Sequence, residues 1–480
     1  MNGFDVKFVT GTDEHGKKIE QSANKSQIEP QEFTDQVSKL FRDLLPILNI
    51  DNDDFIRTTE PRHKRAVSHF WNVLYERGYI YLGEYSGWYD IRNEAYFSED
   101  ELIDGKSPLG GDVQIMKEPC YFFKLSDFTD KLLKYYDEHP DFIFPEQRRN
   151  EVISFVKGGL KDLAISRASF KWGIPVPNDK DHVIYVWMDA LTNYLTLNGY
   201  PDNEDQNNDP YWKNMIHFVG KEIVRFHAVY WPAFLMAAGI DLPKQIVAHG
   251  WWMSEGEKMS KSLGNVQDPI KYCNLFGSDA LRYFVLRELS FGSDGNFSLE
   301  GFINRYNGVL ANSYGNLCKR VMSFVFKNCN AEIKRPKNLF DEDIKFLENI
   351  DKTLGETIAL VENYAFSRYV EKIESAISLA NQYVDSQKPW DMKKDPEKYD
   401  RMQDILYILI EAIYKITKYF YPVIPTASSK ILQQLNINCD KLTLDLNDKL
   451  PDDLRINEPE SIFPKIDTSD MGKFDVFAKD

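Results

Sequence analysis

Phe4-Asp5-Val6-Lys7-Phe8-Val9-Thr10-Gly11-Thr12-Asp13-Glu14-His15-Gly16 is the stretch from which the fold is read. Phe4, Val6 and Phe8 alternate with Asp5 and Lys7, which is strand period, and the run ends in a polar turn, Thr10 to Gly16. A helical pattern follows. Strand, polar turn and helix are the working parts of a doubly wound parallel sheet, where ligands sit at the carboxyl ends of the strands. Two more such units are expected. Val183-Ile184-Tyr185-Val186, an apolar run like a fully buried strand, leads into Trp187-Met188-Asp189-Ala190. Phe218-Val219 leads into Gly220-Lys221-Glu222 and a further helix, and Ile246-Val247-Ala248 leads into His249-Gly250.

Working outward, the texture changes between about Gly78 and Asp181, where Tyr81, Tyr85, Trp88, Tyr89, Tyr96 and Phe97 crowd together. That stretch reads as a domain inserted into the sheet. From about Phe302 onward helix period dominates. Phe366, Val370, Ile373, Ile377, Ala380 and Val384 keep to one helical face, as do Ile405, Ile408, Leu409, Ala412 and Ile416. Pro389 and Pro396 stop helices between them.

The 480 residues are 43 % hydrophobic and 28 % charged, enough for several buried cores and against a wholly disordered chain. Lys+Arg 58 against Asp+Glu 74 gives −16, which argues against sequence-blind adhesion to nucleic acid or anionic membrane. Cys120, Cys273, Cys318, Cys329 and Cys439 lie far apart, without metal-knuckle spacing, and fit a reducing cytoplasm. The longest apolar stretch, Ala228–Ile240, is short for a bilayer span and holds Pro232 and Gly239. The start at Met1-Asn2-Gly3 has no signal-peptide pattern. A cytoplasmic protein without a membrane segment is expected.

Four groups of residues carry candidate chemistry. Lys258-Met259-Ser260-Lys261-Ser262, continuing Leu263-Gly264-Asn265, forms a cationic loop suited to gripping polyphosphate, or alternatively a solvated surface loop. Asp13, at a strand's carboxyl end, could pair with a substrate ammonium or cap the helix that follows. Trp187, Ala190, Tyr194, Ile223, His227 and Trp231 offer an aromatic box with one polar atom, the last three spaced as one stripe of a single helix; such a stripe is also ordinary core. Asn312, Asn316 and Arg320 form a polar row, and Trp390 at a loop is a candidate platform for an unstacked base; the alternative is a solvated face and a tryptophan folded onto the bundle.

The pentapeptide Lys258–Ser262 resembles, residue for residue, the lysine-loop signature of class I aminoacyl-tRNA synthetases. Thr10 to Gly16 resembles the equivalent turn of the methionyl branch. Gly220-Lys221-Glu222-Ile223, Phe226-His227 and Trp231-Pro232 resemble its methionine-pocket helix, while Ile165-Ser166-Arg167 and Trp172-Gly173-Ile174-Pro175 resemble the close of its connective insertion. The resemblance implies methionine, ATP with Mg²⁺, and tRNA(Met) as partners. It implies catalytic roles for Lys258, Lys261 and Arg167, and ATP contacts from Gly220, Glu222, Lys258, Met259, Ser260, Lys261 and Ser262. Methionine contacts fall to Asp13, Trp187, Ala190, Tyr194, Ile223, His227 and Trp231, and anticodon contacts to Asn312, Asn316, Arg320 and Trp390.

The implied architecture is a doubly wound parallel, Rossmann-type α/β sheet split by an inserted connective domain and followed by an all-α anticodon-binding bundle. Its expected parts are 1–78 and 182–255 for the two catalytic halves, 79–181 for the insertion, 256–301 for the lysine-loop junction and 302–480 for the bundle. The insertion is shorter than the editing domains of the isoleucyl, valyl and leucyl enzymes, which favours the methionyl branch. A monomer is expected.

There are departures. Leu191 stands where many relatives have proline. Gly87-Trp88-Tyr89-Asp90 replaces the cysteine knuckle on which the family often carries zinc, so no zinc is expected. None of the 8 histidines forms the family's His-Ile-Gly-His signature. The chain therefore reads as beginning at an internal methionine, without the first strand, the first helix and part of the pocket. A rival reading is an N-terminally truncated, inactive tRNA-binding product of the same family; another is a different class I synthetase.

Overall fold

Parallel pairing begins with Val9–Thr12, which lies beside Asp54–Arg57 with Gly11 opposite Ile56. Only glycine fits at position 11, because a Cβ there would stand 2.1 Å from the Ile56 carbonyl oxygen. The computed structural model describes residues 3–480 apart from 91–94, 98–101, 103–104, 108–111, 204, 255, 260–263, 440–441 and 478–480. It divides into two compact units, Lys7–Asp43 with Asp51–His249, and Met1–Val6 with Leu44–Ile50 and Gly250–Asp480.

The first strand lies later than the alternation suggests. Phe4, Val6 and Phe8 are exposed, Phe4 by 82 %, and Thr10, Gly11 and Thr12 belong to the strand rather than to a turn. Alternation makes a strand only where a neighbour completes the ladder, and Asp54–Arg57 lies beside Val9–Thr12 alone. Helix Pro61–Glu76 buries His63, Ala66, Val67, Phe70, Trp71 and Leu74, one continuous stripe at helical spacing. A second parallel sheet runs in the order Ile216–Gly220, Gln245–His249, Ile143–Phe144. Its last strand comes from within the stretch that reads as the insertion.

The apolar run Val183–Val186 is not a parallel strand. Asp179–Ile184 pairs antiparallel with both Ser166–Arg167 and Pro175–Val176, and Val186 already opens the helix Val186–Leu191. Apolar content reports burial, not direction. Here the tight reversal at Pro177-Asn178, with Asn178 at φ 67, leaves only antiparallel pairing with Pro175–Val176. The stretch read as the insertion contains a long hairpin, Ile80–Asp90 against Val113–Phe123, with Ala95–Phe97 and Leu163–Ala164 at its edges.

The other unit opens with Trp252–Ser254, parallel to Gly295–Phe297 and antiparallel to Glu257–Lys258. Helices follow. Phe366–Gln387 buries Val370, Ile373, Ile377, Ala380 and Val384, and Tyr399–Phe420 buries Ile405, Ile408, Leu409, Ala412 and Ile416. Charges taken into this bundle are matched: Asp343 accepts from Arg401 at 2.6 and 2.9 Å and from Tyr383 at 2.5 Å. Among the described residues no helix is long and apolar enough to cross a membrane.

Candidate active site

The turn after Val9–Thr12 is clamped through Glu14. Its carboxylate accepts from Arg57 at 2.7 and 2.8 Å, from Thr12 at 2.6 Å and from Thr59 at 2.6 Å. Burial alone would raise the pKa of Glu14, but these donors hold it below the ordinary value. Trp172 Nε1 donates to the Glu14 carbonyl at 2.6 Å, so a residue 158 positions further along the chain braces the same turn. Asp13 is left projecting, still in contact with water. It does not cap the next helix, whose N-cap is Gly16 without a side-chain bond. Surrounding protein first, and the carboxylate of Asp189 second, raise Asp13 to about 6.

Beside the turn, fully buried Asp189 accepts from His15 Nδ1 at 2.6 Å and from His63 Nε2 at 2.8 Å. Burial opposes its charge, yet the two imidazole donors keep its pKa below the usual carboxylate value. The helix that holds it, Val186–Leu191, also carries Trp187 and Ala190. It ends at Thr192, whose hydroxyl donates to the Met188 carbonyl at 2.7 Å.

Tyr194, on the helix Asn193–Leu197, donates to His227 Nε2 at 2.8 Å. His227 Nδ1 in turn donates to the Ile223 carbonyl at 3.0 Å. Since a carbonyl only accepts, the ring proton sits on Nδ1 and Nε2 presents a lone pair. Burial lowers His227 to about 4, so the imidazole is neutral near pH 7. Trp231 and the buried His217 ring pack on Tyr194 at centroid distances of 6.1 and 3.9 Å. Trp187 meets His227 edge-on at 6.2 Å and stacks on Phe226 at 3.7 Å.

Ile223, His227 and Trp231 do not lie on one uniform α-helix. Lys221–Ile223 is a 3₁₀ turn, Phe226–Tyr230 a π-helical segment and Trp231–Ala238 the α-helix proper. Pro232 has no N–H to offer the Ala228 carbonyl, and the Tyr136 hydroxyl donates to that carbonyl instead at 2.5 Å. The widened segment still brings His227 and Trp231 to Tyr194.

Gly220 ends its strand, and a Cβ there would come within 2.6 Å of a Glu222 carboxylate oxygen, so that carboxylate lies against bare backbone. Arg167 donates to the Ala164 and Ser166 carbonyls at 3.1 and 2.7 Å and covers the Tyr185 ring. In the other unit, Lys258 is exposed with its ammonium 4.4 Å from the Trp251 ring centroid, and Met259 packs partly buried on the helical core. Ser260, Lys261 and Ser262 lie outside the described residues. The root of this loop is fixed by Gln267, which donates to Ser254 at 2.8 Å.

The stretch read as the insertion offers a zinc ion a single thiol. Cys120, the lone cysteine in the stretch read as the insertion, is buried and directs its thiol to the Tyr121 and Ser166 carbonyls. Among the described residues no three His, Cys, Asp or Glu side chains gather as a metal would need.

In the helical unit the row Asn312, Asn316, Arg320 spans a π-helical segment, Tyr306–Gly315, and the α-helix Asn316–Asn328. Asn312 and Asn316 are exposed. Arg320 bonds Asp385 at 3.0 Å and stands 5.1 Å above the ring of Trp390, which is half-buried on the short helix Pro389–Met392. The structure thus brings Arg320 and Trp390 together.

The family described as tRNA synthetases class I (M) matches residues 1–112 and 95–322, and the anticodon-binding domain of tRNA ligase matches 343–470. A methionine–tRNA ligase of Rickettsia conorii is 50 % identical over 475 residues, covering 97 % of this chain and 93 % of that one. The chain belongs to the methionyl family of class I tRNA synthetases. A methionine–tRNA ligase of Brucella suis is 44 % identical over 97 % of the chain and 91 % of its own. The crystal structure of Mycobacterium tuberculosis methionyl-tRNA synthetase bound by methionyl-adenylate matches with a TM-score of 0.90 at 42 % identity, covering 96 % of this chain and 92 % of that one.

For a methionyl synthetase, the sequence motifs leave out the groups that hold the candidate site together. Asp189 and His63 belong to no quoted role, and Tyr136 lies far away in sequence. A carboxylate set between apolar Met188 and Ala190 on a helix was the available sign for Asp189.

Proposed function

We propose that this chain joins methionine to ATP with release of pyrophosphate, then passes the methionyl group from the adenylate to the terminal ribose of tRNA(Met). Its relatives are methionine–tRNA ligases, and a solved relative holds methionyl-adenylate. The observation that carries the reading onto residues is the neutral Tyr194–His227 pair inside an aromatic box, with Asp13 in electrostatic reach of Tyr194. Asp13 pairs with the substrate ammonium, and the thioether packs against the edges of Trp187, Tyr194, His227 and Trp231, with Ala190 and Ile223 closing the space.

A methionine carboxylate oxygen attacks the α-phosphorus of ATP, and the bond from that phosphorus to the bridging oxygen breaks. Charge develops on the departing pyrophosphate. Lys258 and Lys261 answer it, Arg167 assists, and Gly220 and Glu222 hold the nucleoside; Mg²⁺ enters with ATP. Little of this is covalent work for the protein, so positioning and charge carry the rate. Residues 1–78 and 182–255 serve as the catalytic halves, 79–181 as the insertion, 256–301 as the lysine-loop junction and 302–480 as the reader of the anticodon through Asn312, Asn316, Arg320 and Trp390. The chain works as a cytoplasmic monomer; its five cysteines lie far apart in sequence, as suits a reducing compartment.

Methionine-dependent exchange of pyrophosphate into ATP is the test. Lys261→Ala should lower the exchange rate by about 10²–10³, the loss of one well-placed charge contact of ~3–4 kcal/mol, while methionine binding without ATP stays as it was. Exchange that is indifferent to methionine, or to Lys261, would refute the assignment.

A further inference from the structure

Asp189 lies between Met188 and Ala190 on the helix Val186–Leu191 and is 1 % exposed. A carboxylate buried so deeply has to be matched by donors on both oxygens, and here each oxygen faces one imidazole. The two imidazoles come from different places. His15 stands two residues after Asp13, on the clamped turn, and His63 stands on Pro61–Glu76. His63 also reaches Thr196 with its Nδ1, 3.1 Å from the hydroxyl, and Thr196 shares the helix Asn193–Leu197 with Tyr194. One carboxylate therefore connects the turn that presents Asp13, the helix that presents Trp187 and Ala190, and, through His63, the helix that presents Tyr194.

We propose that Asp189 is a positioning residue of the amino-acid site, holding the ammonium-binding carboxylate at its working distance from the thioether box. The inference rests on the methionine reading above and adds a residue which that reading does not use. Stability alone does not account for the arrangement, because a buried ion-paired row contributes little over apolar side chains of the same volume. What such a row does supply is direction: both Asp189 oxygens are committed, so neither the turn nor the helix can slide without breaking a bond to a buried charge. The row also acts on the charge it positions, since Asp189 raises the pKa of Asp13 while His63 and His15 lower it.

The test is a calorimetric titration of the full chain with L-methionine and with γ-methylthiobutyrate, which is methionine without its ammonium. Asp189→Asn keeps the volume but turns an amide N–H toward one of the two imidazole donors. Methionine affinity should fall about 10- to 100-fold, toward that of the des-amino compound, because the ammonium no longer meets Asp13. Affinity for γ-methylthiobutyrate should stay unchanged. His63→Gln leaves Asp189 charged and bonded to His15, and should show the same selective loss at smaller size. If Asp189→Asn does not fold, His63→Gln carries the comparison. Equal losses on both ligands, or no loss on either, would overturn the proposal. A wild-type chain that binds the two ligands equally would instead overturn the reading of Asp13 as the ammonium partner, and the proposal with it.

Discussion

Methionine binding should depend on pH through Asp13. A carboxylate with a pKa of about 6 is roughly nine-tenths ionised at pH 7 and one-tenth at pH 5. Only the ionised form pairs with an ammonium. Affinity should therefore fall about tenfold between pH 7 and pH 5, an upper figure because water still reaches the open carboxylate. An ordinary aspartate would stay ionised across that range. The sign of proton uptake follows: the bound ammonium favours the carboxylate form, so binding near pH 6 should release about half a proton per methionine. Calorimetry in two buffers of different ionisation enthalpy counts that proton directly. His227 at about 4 and His217, pushed well down by burial, stay neutral over most of the window and do not compete. Asp13→Asn should bind more weakly at pH 7 and lose the slope. For folding the sign is opposite. A carboxyl raised in the folded chain costs stability as pH rises from its ordinary value through 6, so Asp13→Asn should be neutral or stabilising at pH 7. Affinity that is flat from pH 7 to pH 5 in the wild type would refute the reasoning. So would an undiminished slope in Asp13→Asn, which would move the titration to another group.

Further outcomes can be read from single side chains. Tyr136→Phe should destabilise the chain by about 1–3 kcal/mol in denaturant titrations, because Pro232 cannot replace the lost donor to Ala228. Tyr194→Phe leaves a buried imidazole nitrogen unmatched, and should lower the melting temperature and weaken methionine binding together. Trp390→Ala and Arg320→Ala should each cost about 1–3 kcal/mol on a tRNA with the CAU anticodon and little on one with that anticodon changed. Equal losses on both tRNAs, with a lower salt slope, would make them general phosphate or structural contacts.

Much of the helical half is legible from spacing, since Val370 to Val384 and Ile405 to Ile416 occupy the faces their period assigns. Helix period is local information. Pairing is not: the exposed alternation at Phe4 to Phe8 and the antiparallel turn of Asp179–Ile184 depend on which strand lies alongside, and no residue within the run encodes that. The aromatic box is legible as composition. Its proton arrangement is not, because the Ile223 carbonyl that holds the His227 tautomer becomes a partner only once the backbone has folded. The same holds for Asp189, whose two partners lie 174 and 126 residues away.

That separation has a consequence in time. During synthesis His15, on the turn that carries Asp13, is translated 174 residues ahead of Asp189, or on the order of 10–30 s at ordinary elongation rates. Over that interval the two imidazoles lack the buried charge that orders them. The clamp by Glu14 and Arg57, only 43 residues apart, can close much earlier. The nascent chain thus acquires the frame of its turn first and the site inside it last. A pause in translation between these points would prolong exposure of the unfinished half to chaperones and proteases.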